Sequence, residues 1–152
     1  MKKIVILFCF IHLVGCASAQ SDTLDIATLE LISMDNATVK YNTPYGQQYF
    51  VNGSNKPYTG YLCAYYDNGE LETVQQFKDG VGNGIWINFD PDGRKESQGT
   101  YVNNKTEGPA MLFYEDGSVK AKGQYIHWKN AIGWWTFYDR QGNVVSRRRF
   151  TR

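Results

Sequence analysis

Between residues 60 and 150, apolar and polar side chains alternate in short runs, and turn-forming residues interrupt the runs at regular intervals. Tyr61-Leu62-Cys63-Ala64-Tyr65 and Ile85-Trp86-Ile87-Asn88-Phe89 are two such runs, rich in aromatic and aliphatic side chains. The runs lead into Asp67-Asn68-Gly69, Pro91-Asp92-Gly93, Glu115-Asp116-Gly117 and Arg140-Gln141-Gly142. In the second of these, proline presets φ, aspartate tolerates the middle position, and glycine takes the left-handed third. That is a three-residue hairpin loop with a glycine bulge. A second alternating run follows each turn and ends on an aromatic. A period of two argues for strands and against a helix.

The hairpins form a repeat. Glycines open units at Gly60, Gly84, Gly108 and Gly133, in steps of 24, 24 and 25 residues. The turn glycines Gly69, Gly93, Gly117 and Gly142 recur in register, as do the aromatics Tyr65, Phe89, Phe113 and Tyr138 and the aromatics Phe77, Tyr101, Tyr125 and Phe150. All eight glycines are expected to be structural turn positions. Self-similarity at this period marks a repeat array. The expected fold is all-β: an elongated single-layer antiparallel sheet of stacked β-hairpins.

The three-residue loop predicts the pairs Tyr65–Leu71, Phe89–Lys95, Phe113–Val119 and Tyr138–Val144. Strict alternation from those pairs places Tyr61, Cys63 and Tyr65 on one face with Leu71, Thr73 and Phe77. A small column, Thr73, Ser97, Ala121 and Ser146, then stands opposite Cys63, Ile87, Met111 and Thr136, and Gly99 and Gly123 extend it. The other face carries Leu62, Trp86, Ala110 and Trp135, with Ala64, Asn88, Leu112 and Phe137, beside polar columns such as Glu72, Glu96 and Lys120. Apolar patches with polar rims mark interaction sites, and tryptophan is enriched at hot spots. Trp86, Trp135, Leu112 and Phe137 are therefore the expected partner-binding residues, unless the segment from Leu24 to Leu31 covers them.

Ahead of the array the pattern changes. Lys2 and Lys3 precede a short apolar run, Ile4 to Val14, and then small residues. The run is too short to span a membrane and reads as a secretory signal. Two processing sites compete. Ala17-Ser18-Ala19 would give a signal peptide of residues 1–19. Leu13-Val14-Gly15-Cys16 resembles the lipobox of bacterial lipoproteins and would give a signal of residues 1–15, with Cys16 as the lipid attachment. Both predict export to a bacterial cell envelope, either lipid-anchored or as a soluble periplasmic or secreted protein. Residues 20–44 read as a lead-in or tether. Residues 45–59 read as a degenerate capping half-repeat, because Phe50-Val51-Asn52-Gly53 echoes Phe77-Lys78-Asp79-Gly80.

Charge and chemistry narrow the function. The formal charge is +1, and without Lys2 and Lys3 the basic count falls from 16 to 14 against 15 acids. That balance leaves no electrostatic footprint for nucleic acid. A membrane contact is expected only through the N-terminal lipid. Cys63 falls on an apolar strand face and reads as a small buried hydrophobe. The acids concentrate in turns, and His127 lacks a second histidine nearby. No catalytic residue, metal ligand or cofactor is predicted, so the chain reads as a non-enzymatic binding protein.

The sequence around Gly84 reads Gly-x-Trp-x-x-Phe-Asp-x-Asp-Gly, then Gly-x-Tyr-x-Asn-Asn-Lys-x-x-Gly. This resembles the MORN repeat in its bacterial variant form. Lys56-Pro57-Tyr58-Thr59-Gly60 looks like the lead-in of the YwqK-like proteins labelled antitoxin components, here in an exported form. The resemblance covers residues 56–150 and implies stacked hairpins without a catalytic residue to carry over. Two places depart from the pattern. Pro109 and Ala110 lack the aromatic after the glycine, and Trp128 stands where the loop has a small or polar residue. Taken with the export signal and the aromatic face, the chain reads as an exported scaffold that binds an unknown protein or envelope component through one sheet face. The alternatives are a glycan- or choline-binding-like aromatic hairpin module, suggested by Gly133-Trp134-Trp135-Thr136-Phe137-Tyr138, and an antitoxin-like neutralising partner.

Overall fold

The structure is a computed structural model that describes residues 24–151. Candidate Cys16 and both processing sites lie outside the described residues. Strands β4 (Gly60–Tyr65), β5 (Leu71–Lys78), β6 (Val81–Phe89), β7 (Lys95–Val102), β8 (Lys105–Phe113), β9 (Val119–Ile126), β10 (Asn130–Tyr138) and β11 (Val144–Phe150) run antiparallel, each beside the next. The stacked hairpins read from the repeat are thus the architecture. A short strand β1 (Leu31–Ser33) pairs parallel to β4 and makes the sheet nine-stranded. Strands β2 (Ala37–Thr43) and β3 (Gly46–Val51) form a separate hairpin. Among the described residues no helix is long and apolar enough to cross a membrane.

Two kinds of turn alternate along the array. At one end of the strands lie the three-residue loops. Gly69 donates to the Tyr66 carbonyl while Tyr66 donates to the Glu70 carbonyl, and the same pattern recurs at Asp90, Tyr114 and Asp139. The pairs Tyr65–Leu71, Phe89–Lys95, Phe113–Val119 and Tyr138–Val144 follow as read from sequence. At the other end lie two-residue turns, Asp79-Gly80 and Asn103-Asn104, with positive φ at both positions. Such turns match the strand twist. The third connection holds three residues, His127-Trp128-Lys129, and this accounts for the 25-residue step.

One expectation about the faces is corrected. Immediately beyond each loop pair the second strand carries an extra residue, Glu72, Glu96, Lys120 or Val145, so that Ala64 pairs with Thr73 and Cys63 with Val74. A bulge of this kind shifts every later side chain to the other face. Val74, not Thr73, is the neighbour of Cys63. The small column Thr73, Ser97, Ala121 and Ser146 instead stands beside Ala64, Asn88, Leu112 and Phe137.

The chain thereby builds two apolar clusters on opposite faces. Cys63, Val74, Ile87 and Phe89 are buried on one, and Leu24, Ile26 and Leu31 pack over them. Within the lead-in, the segment from Leu24 to Leu31 is therefore a covering strap on the Cys63 face, not on the face bearing the tryptophans. The second cluster, Ala110, Ala121 and Trp135, lies on the tryptophan face near the far end of the sheet. Strand β3, from the segment read as a capping half-repeat, crosses the turn ends: the Tyr49 backbone amide donates to the Gly80 carbonyl, and the Asn104 side-chain amide donates to the carbonyls of Tyr45 and Gln47.

Candidate binding face and its aromatic pocket

The opening glycines are not turn residues. Gly84 and Gly108 lie inside strands with φ of 115° and 104°. At each, the first strand of the unit bulges away from its predecessor. Between the pairs Gln75–Trp86 and Phe77–Gly82, Gln76 faces three residues, and its Oε1 accepts from the Ile85 amide at 3.1 Å in place of a ladder bond. Thr100 does the same work at the next unit by donating to the Glu107 carbonyl. A Cβ on Gly84 would sit 2.0 Å from Gln76 Oε1. Gly133 likewise falls within β10, at the irregularity between β9 and β10, and Gly60 opens β4. Gly69, Gly93, Gly117 and Gly142 hold the loop positions, with φ between 77° and 88°.

Each opening glycine faces the closing aromatic of its own unit: Gly60–Phe77, Gly84–Tyr101, Gly108–Tyr125 and Gly133–Phe150. The next row holds Leu62, Gln75, Trp86, Gly99, Ala110, Gly123 and Trp135. Trp86 sits against Gly99 and Trp135 against Gly123. Both indoles donate their Nε1 hydrogens to a carbonyl one strand away, Thr100 and Gln124, at 3.2 Å. Trp86 is 1% exposed and Trp135 2%. The expectation that these two rings stand open to a partner is corrected: the bulges bring the small residues to their side, and the rings fill the space those residues leave. Leu112 and Phe137 are half-buried beside Trp135.

A third row is polar at one end and apolar at the other. Thr73 Oγ1 lies 3.0 Å from Asn88 Oδ1, and Asn88 Nδ2 donates to Ser97 Oγ at 3.4 Å. Leu112, Ala121 and Phe137 continue the row.

The longer turn reaches over this face. His127, Trp128 and Lys129 all have left-handed φ, of 43°, 63° and 64°. A non-glycine residue pays roughly 1–2 kcal/mol for that conformation. Buried Thr106 pins the turn by accepting from the Lys129 amide. The Lys129 ammonium stands 4.8 Å from the Trp86 ring centroid, within cation–π range. Trp128 remains 65% exposed.

Among the described residues four clefts adjoin the turn, and three of them concern the tryptophan row and its neighbours. One of about 220 Å³ is walled by Tyr49, Phe77, Tyr101 and Trp128, with Gln75 at its floor. It shares Gln75 and Tyr101 with a cleft of about 370 Å³ that holds Glu72, Thr73, Asn88 and Glu96. That cleft shares Glu96 and Lys129 with a wider one of about 590 Å³ bounded by Trp86, Leu112, Tyr114 and Arg140. Burial raises the hydroxyl pKa of Tyr49 and Tyr101 above the usual phenol range, and each is pushed further by a neighbouring phenol, Tyr41 for Tyr49 and Tyr49 for Tyr101. Both hydroxyls stay protonated donors at neutral pH. Sequence reasoning missed this group. Its one visible signal was Trp128, an indole in a turn one residue longer than its counterparts.

A family model described as the MORN repeat variant matches residues 83–103 and 106–127. The chain carries MORN repeat variants. The two matched segments cover β6–β7 and β8–β9 almost strand for strand. In the matched MORN units each repeat is therefore one strand pair joined by a three-residue loop, with its opening glycine at a bulge. No curated protein and no solved structure matches the chain. A MORN repeat match suggests a repeat scaffold or binding module.

Proposed function

We propose that this MORN protein is an exported, non-enzymatic module that binds a component of the bacterial cell envelope on its tryptophan face, under the 127–129 turn. The observation that carries the reading is the connected set of clefts there. They span units one to four, combine rings with hydrogen-bonding groups, and are bordered by one large exposed indole on a left-handed turn. The smallest cleft has the make-up of a ligand pocket, aromatic walls with a few placed polar groups, and the other two add charged and polar side chains around it. Strained backbone concentrates at functional sites. The export signal of residues 1–19, or the lipid anchor at Cys16, supplies the compartment. Trp86, Trp135, Leu112 and Phe137 act by shaping the floor, and Trp128 replaces them as the ring that meets the ligand.

Co-sedimentation of the purified mature protein with isolated envelope tests this. Trp128→Ala should lose binding, and Tyr65→Ala, at an exposed ring beyond the tryptophan face, should keep it. Absent sedimentation of the wild type, or equal binding by both variants, contradicts the proposal.

A further inference from the structure

The 220 Å³ cleft has a chemistry of its own. No charged side chain lines it. Two of its amides are already committed. Asn104 donates to the Tyr45 and Gln47 carbonyls at 3.1 and 2.8 Å and accepts from Gly82, and Gln47 Nε2 donates to the Tyr41 hydroxyl at 2.8 Å. Three polar groups remain. The Tyr49 and Tyr101 hydroxyls make no hydrogen bond among the described residues, and the Gln75 amide has only a long contact of 3.5 Å to Thr73. The ring walls are held in place, Tyr49 by Phe77 at 4.7 Å and Tyr101 by Trp86 at 6.3 Å between centroids. Trp128 completes the aromatic lining.

From this lining we infer that the cleft seats one neutral sugar ring of an envelope glycan, the C–H face of the ring on the Trp128 indole and its hydroxyls on Tyr49, Tyr101 and Gln75. The inference rests on the binding role proposed above and names its ligand class. Other classes fit less well. An acyl chain would leave two phenol hydroxyls and an amide desolvated without partners, at a cost for each. A quaternary ammonium would find rings, but no carboxylate lines the cleft and the Lys129 ammonium stands nearby over Trp86. A sugar ring satisfies both the aromatic and the hydroxyl-bearing groups. The cleft is smaller than the range for drug-sized ligands, so it takes one ring of a longer chain. The chain continues into the cleft it joins at Gln75 and Tyr101, where Thr73, Asn88 and Glu96 offer further hydrogen bonds. This also accounts for Trp128: an indole left 65% exposed on a left-handed turn buries little of its ring in packing, but it has a ring to stack.

The test is a titration of the isotope-labelled mature protein, followed by NMR. The probes are glucose, N-acetylglucosamine, the β-1,4-linked trimer of each, and choline chloride. At least one trimer should shift the Trp128 indole N–H and the backbone amides of Tyr49, Gln75 and Tyr101, with its monomer weaker. Trp128→Ala should weaken that trimer about tenfold or more, the size of a hot-spot truncation. Tyr101→Phe, which deletes only the hydroxyl, should weaken it severalfold. Trp134→Ala, an exposed indole outside the cleft, should change nothing. No shift with any of the four sugars, a shift with choline alone, or shifts that survive Trp128→Ala would each overturn the inference. Envelope binding without sugar binding would fail this inference and leave the broader role standing; sugar binding without envelope binding would do the reverse.

Discussion

The Trp86 indole occupies the place where a side chain on Gly99 would stand: a Cβ built there would lie 2.6 Å from Trp86 Cζ2. Trp135 stands in the same relation to Gly123, at 2.1 Å from Cδ2. Gly99 needs no left-handed backbone, so the exclusion is steric. Gly99→Ala should therefore destabilise by about 1–3 kcal/mol, the usual cost of overpacking. Urea denaturation would show it as a lower midpoint. In Trp86→Leu the alanine should cost less, giving a coupling of roughly 0.5–3 kcal/mol in the double-mutant cycle. Additive effects would mean the two residues do not meet.

The loop glycines and the 127–129 turn predict opposite signs for one kind of change. Gly142 has φ of 85° with nothing within 4 Å of a built Cβ, so Gly142→Ala should cost only the left-handed penalty, about 1–2 kcal/mol. Gly93→Val, at φ of 77°, should cost at least as much. Trp128→Gly removes a similar penalty and should raise the melting temperature while abolishing ligand binding. A lower melting temperature in Trp128→Gly would mean the indole is part of the packing.

Acid should unfold the array through its loop acids. The Asp116 carboxylate is held down to about 2, first by the Ser118 hydroxyl and amide, then by the Arg140 guanidinium of the next loop at 3.0 Å. Asp90 is lowered chiefly by its hydrogen bond from Arg94, and Asp139 by Asn143. A carboxylate depressed in the folded state adds stability above its unfolded pKa of about 4. That stability is lost as pH falls through the folded value. The melting temperature should thus drop between about pH 4 and pH 2. In Asp90→Asn, Asp116→Asn, Asp139→Asn combined, it should start lower at neutral pH and change less over that window. An unchanged pH profile would mean these loops do not hold their carboxylates.

Hairpin loops, repeat boundaries and strand pairs next to the loops were legible because glycine and proline chemistry is local. The faces were not. Alternation counted from Leu71 puts Thr73 inward, and nothing in Leu71-Glu72-Thr73-Val74 announces that Glu72 is an extra residue. Val74 and Phe77, both apolar and three apart, were the hint that one run could not serve a single face. The burial of Trp86 and Trp135 follows from the same shift: strict alternation puts Gly99 and Gly123 on the Cys63 face, and the bulges put them against the indoles. The aromatic pocket was out of reach for another reason. Tyr49, Phe77, Tyr101 and Trp128 come from four separate elements, and only the crossing of β3 over the turn ends brings them together.

Hydrogen exchange of the mature protein with and without isolated envelope tests the central claim most directly, because it reports both whether the ligand binds and which face it covers. Binding on the tryptophan face should slow exchange in segments 47–51, 99–104 and 126–131, and leave 24–33, the strap over the Cys63 face, unchanged. Slowed exchange confined to 24–33, or none anywhere, would contradict it.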